Sequence, residues 1–336
     1  MRFAAITLSG LLAVAGLFRG CAPAADPSTD TLTIGAYSVA REALHDGILP
    51  AFAVEWHART GRDVRFEESY NASGAQARAI ASGFDADIAI LSLEGDVDIL
   101  VKAGLVAKSW NKGPAKGIVT RSLVVIGYRN GNPLDIYDWP DLARPGVGVL
   151  YPDPKTSGGA RWNINAIYGS AYMDGKKDRR AGFERLRGVQ KNVMIMDSSG
   201  RQSMATFERG AGDAVVTYEN ELLLQRRIKG RAAPYVVPPA TLLIEGPAAI
   251  VDTSVARHRN RPLAEAFPAF LRSARGQEIL TDYGFRPLDP SRDDPSRAPL
   301  PPRLFTMADL GGWPVVKRDL YDPGGLWDVL FTGPRP

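Results

Sequence analysis

The sequence predicts an α/β chain of two lobes, each a mostly parallel sheet flanked by helices. Three observations predict it. Apolar β-type runs alternate with helical patterns along most of the chain, joined by short connections, as parallel sheets covered on both faces require. Three strand-to-helix turns carry small hydroxyl residues and glycine, and in such sheets ligands bind beyond the carboxyl ends of the strands. Two runs, 119–128 and 214–221, read as crossings between one half of the body and the other.

The 336 residues are 45% hydrophobic and 23% charged, which is ordinary globular material and enough for two domains. Arg2 precedes an apolar stretch, 3–18, that ends at Arg19 and leads to Cys21-Ala22-Pro23-Ala24. Residues 1–24 therefore read as a secretory signal peptide cleaved after Ala24, too short and broken to span a membrane. Cys21 is the single cysteine, and 17–21 half resembles a bacterial lipobox, although Arg19 fits that pattern badly. A lipid anchor at Cys21 and plain cleavage both stay open. Either way the mature chain has no disulfide, so a conventional core must hold it together. The formal net charge of +4 falls to +2 without Arg2 and Arg19, with acids and bases interleaved. Such a balance indicates neither nucleic acid nor an anionic membrane surface.

In order, 31–37 reads as a strand, and 41–59 as a helix spaced through Leu44, Ile48, Phe52 and Trp56. Residues 63–67 form a strand, 76–82 a helix, 86–91 a strand and 94–103 a helix. The long β-type run 119–128 crosses to the second lobe and closes in the turn Gly131-Asn132-Pro133. Strands at 147–151 and 193–196 each precede a helix, the first over 160–172. The run 214–221 returns the chain, and β-type runs at 235–238 and 248–251 with a helix at 262–272 complete the first lobe. Lobe 1 is thus 31–120 with 222–285, and lobe 2 is 121–221. The Pro-rich tail 286–336, with a short helix near Asp309, is expected to return to lobe 2.

The chemistry is expected in the turns Ser69 to Gln76, Asp153 to Asn163 and Asp197 to Ser203. Each ends a β-rich run and opens a helix, where amides lack intrahelical partners and the peptide dipoles add partial positive charge. In the second, Ser157-Gly158-Gly159 removes the Cβ atoms that would hold an anion away from those amides. None has the spacing of a P-loop or a dinucleotide turn. Three such helix starts brought together make a site for a small anion. Enzyme chemistry is poorly served, because His45, His57 and His258 lie beside none of these turns and there is no Gly-x-Ser-x-Gly elbow. No His/Cys cluster has metal-ligand spacing, and no cofactor is indicated.

In one order the chain carries Tyr37-Ser38-x-x-Arg41-Glu42, Ser69-x-x-x-Ser73-Gly74-x-Gln76, Pro152-x-Pro154-Lys155-x-Ser157-Gly158-Gly159-Ala160-Arg161-Trp162-Asn163, Glu208-Arg209-Gly210-x-Gly212-Asp213 and Glu219-Asn220-Glu221. Gly276-Gln277-Glu278-Ile279, Phe285-Arg286-Pro287, Leu304-Phe305-Thr306 and Gly311-Gly312-Trp313 follow. This series resembles the periplasmic sulfate-binding proteins of ABC importers, sulfate/thiosulfate type, over about 32–330. The resemblance implies a two-lobed periplasmic-binding-protein fold of type II that closes its interlobe cleft over a dehydrated oxyanion held by neutral donors. It implies a monomer, exported to the periplasm, that hands sulfate to a membrane permease driven by a cytoplasmic ATPase. Thiosulfate, molybdate and a sensor or adaptor role on the same fold are the alternatives.

Carried over residue by residue, the donors would be the backbone at Ser38, the hydroxyl of Ser73, Ser157 with the amides of Gly158 and Gly159, the amide of Gly200, and the side chain of Tyr218. Ser38 stands where the family usually has Asp, and Gly200 where it often has Ala; both donate from the backbone. Tyr218 stands where the family has a Trp whose indole N–H donates, so ligand choice turns on this position. A site of donors alone is expected to reject phosphate, whose remaining proton needs an acceptor. With no titrating group in it, affinity is expected to be flat from about pH 5 to 8.

Overall fold

The computed structural model describes residues 28–174, 176–230 and 233–332. The signal peptide expected over 1–24, its cleavage point and Cys21 lie outside them. The chain begins with β1 (Thr29–Tyr37), α1 (Leu49–Thr60), β2 (Asp63–Asn71), α2 (Ser73–Ala81), β3 (Ile88–Ile90) and α3 (Glu94–Lys102). There follow β4 (Ile118–Tyr128), β5 (Val149–Leu150), α4 (Gly158–Asp174), α5 (Arg179–Gln190), β6 (Val193–Ile195), α6 (Gly200–Glu208), β7 (Ala214–Tyr218), α7 (Glu219–Lys229) and β8 (Tyr235–Val236). The last part holds β9 (Ala240–Ile250), α8 (Asp252–His258), α9 (Arg261–Arg272), α10 (Ala274–Asp282), β10 (Arg303–Phe305), α11 (Trp313–Val316) and α12 (Leu326–Thr332).

The α/β expectation holds. Strand order is β2-β1-β3-β9-β4-β7-β5-β6, with β10 on β9 and β8 on β4. At one end β1 pairs in parallel with β2 and β3, and at the other β5 pairs in parallel with β6 and β7. Between them β4 and β9 run antiparallel, Ser122 opposite Ile244 and Leu123 opposite Leu243. Beyond this shared stretch β4 continues against β7, and β9 continues against β3. Ala214–Tyr218 pairs with β4 and β5, and α7 packs on β4 and β7, so the chain stays with these strands past residue 221 and leaves them along β9.

The helical spacing read over 41–59 becomes a π-helical stretch, Ala43–Ile48, running into α1, with Leu44, Ile48, Phe52 and Trp56 buried. Gly61 ends that helix at φ 69, a left-handed cap that glycine adopts without strain. α2 begins at Ser73 rather than Gln76, and α4 at Gly158 rather than Ala160. Both shifts place expected site residues in the first turn of a helix. The tail lies on α4: Trp313 meets Trp162 edge-on with centroids 4.9 Å apart, and Tyr321 Oη donates to Asn165 Oδ1 at 2.8 Å. Around Asp309 the chain makes a turn, with Asp309 Oδ2 accepting from Thr306 N; the helical pieces come later, at α11 and α12.

Arg286, next in the chain to Phe285, forms a bidentate ion pair with Glu219 at 2.7 and 2.9 Å, both side chains buried. Arg121 of β4 donates to the Pro287 carbonyl at 2.6 Å beside it. These contacts fix the start of α7, which follows directly on Tyr218.

Candidate functional site

The three expected turns converge, and a fourth element joins them. One small cavity is lined by Ser38, Ser73, Ser157, Gly159, Gly200 and Tyr218 of the expected set, together with Ser92, Asn163, Ser199 and Thr217. The space open to the centre of a water-sized sphere is ≈ 10 Å³, about what one small group needs and too little for an organic substrate. Gly158 is not in the lining; it sits beside it in the first turn of α4. None of the residues that line the cavity is charged.

Helix starts supply the donors. The 3-10 turn Ser38–Ala40 and α2 begin at Tyr37 and Ala72, neither of which gives a side-chain cap. Their first amides are therefore left for a ligand. At α4, Ser157 Oγ accepts from Ala160 N at 3.3 Å, which caps the helix and leaves the hydroxyl hydrogen available. The amides of Gly158 and Gly159 lie in the same first turn of α4. At α6, Ser199 Oγ accepts from Gln202 N at 3.2 Å, leaving the amide of Gly200 outside the helical ladder.

The Ser73 hydroxyl, expected as a donor, is bonded within the protein. Ser73 Oγ donates to Asp96 Oδ2 at 2.5 Å and accepts from Ser92 N at 2.8 Å, so its one hydrogen is engaged. The Ser73 amide, first in α2, is the donor that remains. Asp96 is 2% exposed, and burial pushes its carboxyl above the usual range although the bond from Ser73 pulls the other way. Donors alone thus do not describe the surroundings. Asn163 is a second acceptor there: its Nδ2 donates to Val216 O at 2.8 Å, while its buried Oδ1 has no hydrogen-bond partner.

The two glycines differ in what they make room for. A Cβ on Gly158 would meet Ser92 Oγ at 2.5 Å and Asp96 Oδ2 at 2.6 Å, so the missing side chain there lets α4 approach the start of α3. A Cβ on Gly159 would meet nothing closer than Ser157 Oγ at 3.2 Å and would stand beside Tyr218 in the cavity. It is Gly159 whose bare backbone leaves space for an anion.

Arg201, second in α6, links the sides of the site. Its Nη2 lies 2.5 Å from Glu42 Oε2 and 3.1 Å from Glu221 Oε1. The second contact is close but poorly angled, and both Glu221 oxygens lack a hydrogen bond. Burial accordingly raises Glu221 to about 7, against the pull of Arg201. A group near the site therefore titrates inside the window expected to be silent. The histidines stay away from the cavity, paired with Glu68, Asp63, and Asp85 with Asp87.

Sequence reasoning missed Ser92 and Asp96, and it placed Ser199 in the third turn without giving it a role. Ser92 follows the strand read over 86–91, a position where ligands bind, but no adjacent glycine or second hydroxyl marks it.

The family described as bacterial extracellular solute-binding protein matches residues 39–286. A sulfate-binding protein of Synechococcus elongatus is 40% identical over 303 residues, covering 89% of this chain and 86% of that protein. A thiosulfate-binding protein of Pseudomonas aeruginosa is 32% identical over 330 residues, covering 96% and 98%. The solved structure of the sulfate-binding protein SubI of Mycobacterium tuberculosis matches with a TM-score of 0.80 at 38% identity, covering 87% of this chain and 100% of that one. The chain belongs to the bacterial extracellular solute-binding proteins, has their two-lobed periplasmic-binding fold, and falls in the family of the sulfate- and thiosulfate-binding proteins.

Proposed function

We propose that the protein captures sulfate in the closed cavity and delivers it to an ABC permease from the periplasmic side of the inner membrane. The observation that carries this reading is a small cavity, lined by neutral residues, on which the uncapped or hydroxyl-capped starts of the Ser38–Ala40 turn, α2, α4 and α6 converge. A buried charge without partners costs tens of kcal/mol in an idealised low-dielectric medium. Each hydrogen bond to a charged group returns roughly 1.5–3 kcal/mol net, so several amides with their helix dipoles are of the right order to hold a dianion. The donors in this reading are the amides of Ser38, Ser73, Gly158, Gly159 and Gly200 and the hydroxyl of Ser157, with Tyr218 on the cavity wall beside them.

The lobes meet along β4 and β9, which we take as the hinge. The return to lobe 1 then falls at Ala240–Ile250, later than the 214–221 crossing expected from sequence. Opening there separates Ser73, Ser92 and Asp96 from Ser157, Gly158 and Tyr218. Thiosulfate is the second reading, favoured by the phenol at Tyr218 in place of an indole. Equilibrium dialysis against radiolabelled sulfate, with thiosulfate and molybdate as competitors, tests the choice. One saturable site per chain, displaced best by unlabelled sulfate, is expected; preferential displacement by thiosulfate or molybdate reverses the assignment, and no retention of sulfate refutes it.

A further inference from the structure

Ser92 is absent from every motif that marks the site, yet it holds three of the site's elements together. Its amide donates to Ser73 Oγ at 2.8 Å, its carbonyl accepts from Trp162 Nε1 at 2.8 Å, and its hydroxyl oxygen accepts from Tyr218 Oη at 3.2 Å. Ser92 is 2% exposed and Tyr218 3% exposed, and both line the cavity. A phenol carries one hydrogen. While Tyr218 donates it to Ser92, it has none for a ligand. A serine hydroxyl that accepts still has its own hydrogen to give, and among the described residues no protein acceptor takes the one on Ser92 Oγ. Leaving that hydrogen unmatched in a buried site would be costly. The group positioned to accept it is whatever anion fills the cavity.

We propose that Ser92 is a further anion-binding residue, and that Tyr218 acts through it: the phenol donates to Ser92 Oγ, and the Ser92 hydroxyl donates to an oxygen of the bound oxyanion. This rests on the reading of the cavity as an oxyanion site. Donation from Tyr218 also polarises the Ser92 O–H, so the two bonds reinforce each other. Ser92 is the contacting residue and Tyr218 the positioning one.

Calorimetric titration of sulfate into wild type, Ser92→Ala, Tyr218→Phe and the double variant separates this from direct contact by Tyr218. Melting temperatures of the ligand-free proteins show that each variant folds. Ser92→Ala should weaken binding roughly tenfold to a hundredfold. Tyr218→Phe should weaken it by less, and the double variant should bind about as Ser92→Ala does. Ser92→Cys keeps the size but is a weak donor, and should lose about as much as Ser92→Ala even if the alanine folds poorly. Wild-type affinity in the Ser92 variants, or losses at the two positions that multiply, would overturn the relay while leaving sulfate binding in place. A wild type that binds neither sulfate nor thiosulfate would instead overturn the reading of the cavity, and the relay with it.

Discussion

Alanine at Gly158 and at Gly159 should impair anion binding for different reasons, and the difference follows from interatomic distances. At Gly158 the added methyl would lie 2.5 Å from Ser92 Oγ, 2.6 Å from Asp96 Oδ2 and 3.1 Å from Leu93 Cδ2. Asp96 cannot readily yield, because Ser73 holds it at 2.5 Å. Overpacking of this kind costs typically ~1–3 kcal/mol. All three crowded atoms lie in or just before the first turn of α3, across the proposed cleft from α4, so the cost should arise when the lobes close. Sulfate affinity should therefore fall by about fivefold to a hundredfold, while the ligand-free melting temperature stays near that of wild type. At Gly159 the methyl meets no protein atom closer than 3.2 Å and occupies the cavity itself. Binding should be lost more completely there, again with an intact fold. Calorimetry for affinity and differential scanning fluorimetry without ligand provide the two readouts. Wild-type affinity in Gly158→Ala would refute the cross-cleft contact, and wild-type affinity in Gly159→Ala would refute the placement of the anion.

Three further outcomes follow from the charged groups. Glu221, raised to about 7 by burial, stays protonated in the folded state at pH values where the unfolded chain ionises it, so its contribution falls as pH rises from about 4.5 through 7. Glu221→Gln should raise the melting temperature relative to wild type at pH 8, by an amount equivalent to at most ~3 kcal/mol, and leave it unchanged at pH 4.5; equal shifts at both would contradict this. Burial pulls the His258 pKa down, but Asp87 at 2.8 Å and Asp85 at 3.1 Å outweigh it and hold the pKa above its ordinary value. That stabilisation is full below the unfolded pKa and lost as pH rises through the folded one, so His258→Asn should lower the melting temperature more at pH 6 than at pH 9; the reverse order would disprove the pairing. Arg286→Met would leave Glu219 buried and uncompensated, a loss of about 3–5 kcal/mol in urea unfolding that Glu219→Leu should largely repair in the double variant. A loss under about 1 kcal/mol would show that water reaches the pair.

What the sequence revealed and what it hid have physical reasons. Leu44, Ile48, Phe52 and Trp56 recur at helical spacing and are all buried, so periodicity located that helix. Ser157-Gly158-Gly159 stood out because hydroxyl and glycine together mark a helix start that an anion can approach. β9 was read only in part, since Pro238-Pro239 precede it and Gly246-Pro247 interrupt its apolar run. The structure tolerates Pro247 where the register with β4 shifts between Ile118 and Thr120. With β9 legible only in part, the sequence offers 214–221 as the return crossing. Asp96 looks in sequence like an acidic residue in the first turn of an ordinary surface helix, stabilised by the dipole. Only the register of α2 against α3 brings it to Ser73 and takes that hydroxyl away from the ligand.

The account stands most directly on a comparison of sulfate with phosphate, measured by calorimetry at pH 8, where phosphate is a dianion that keeps one proton. Sulfate can accept from every amide and hydroxyl of the cavity and offers nothing in return. Phosphate must place its proton on an acceptor; the Asp96 oxygen nearest the site already accepts from Ser73, and Asn163 Oδ1, the unpaired acceptor in the lining, is fixed by the bond from Nδ2 to Val216 O and would serve a single orientation of the phosphate. One tight sulfate site per chain is expected, with phosphate weaker by at least about a hundredfold. Phosphate binding as tightly as sulfate would contradict it, and would assign Asn163 Oδ1 to the phosphate proton.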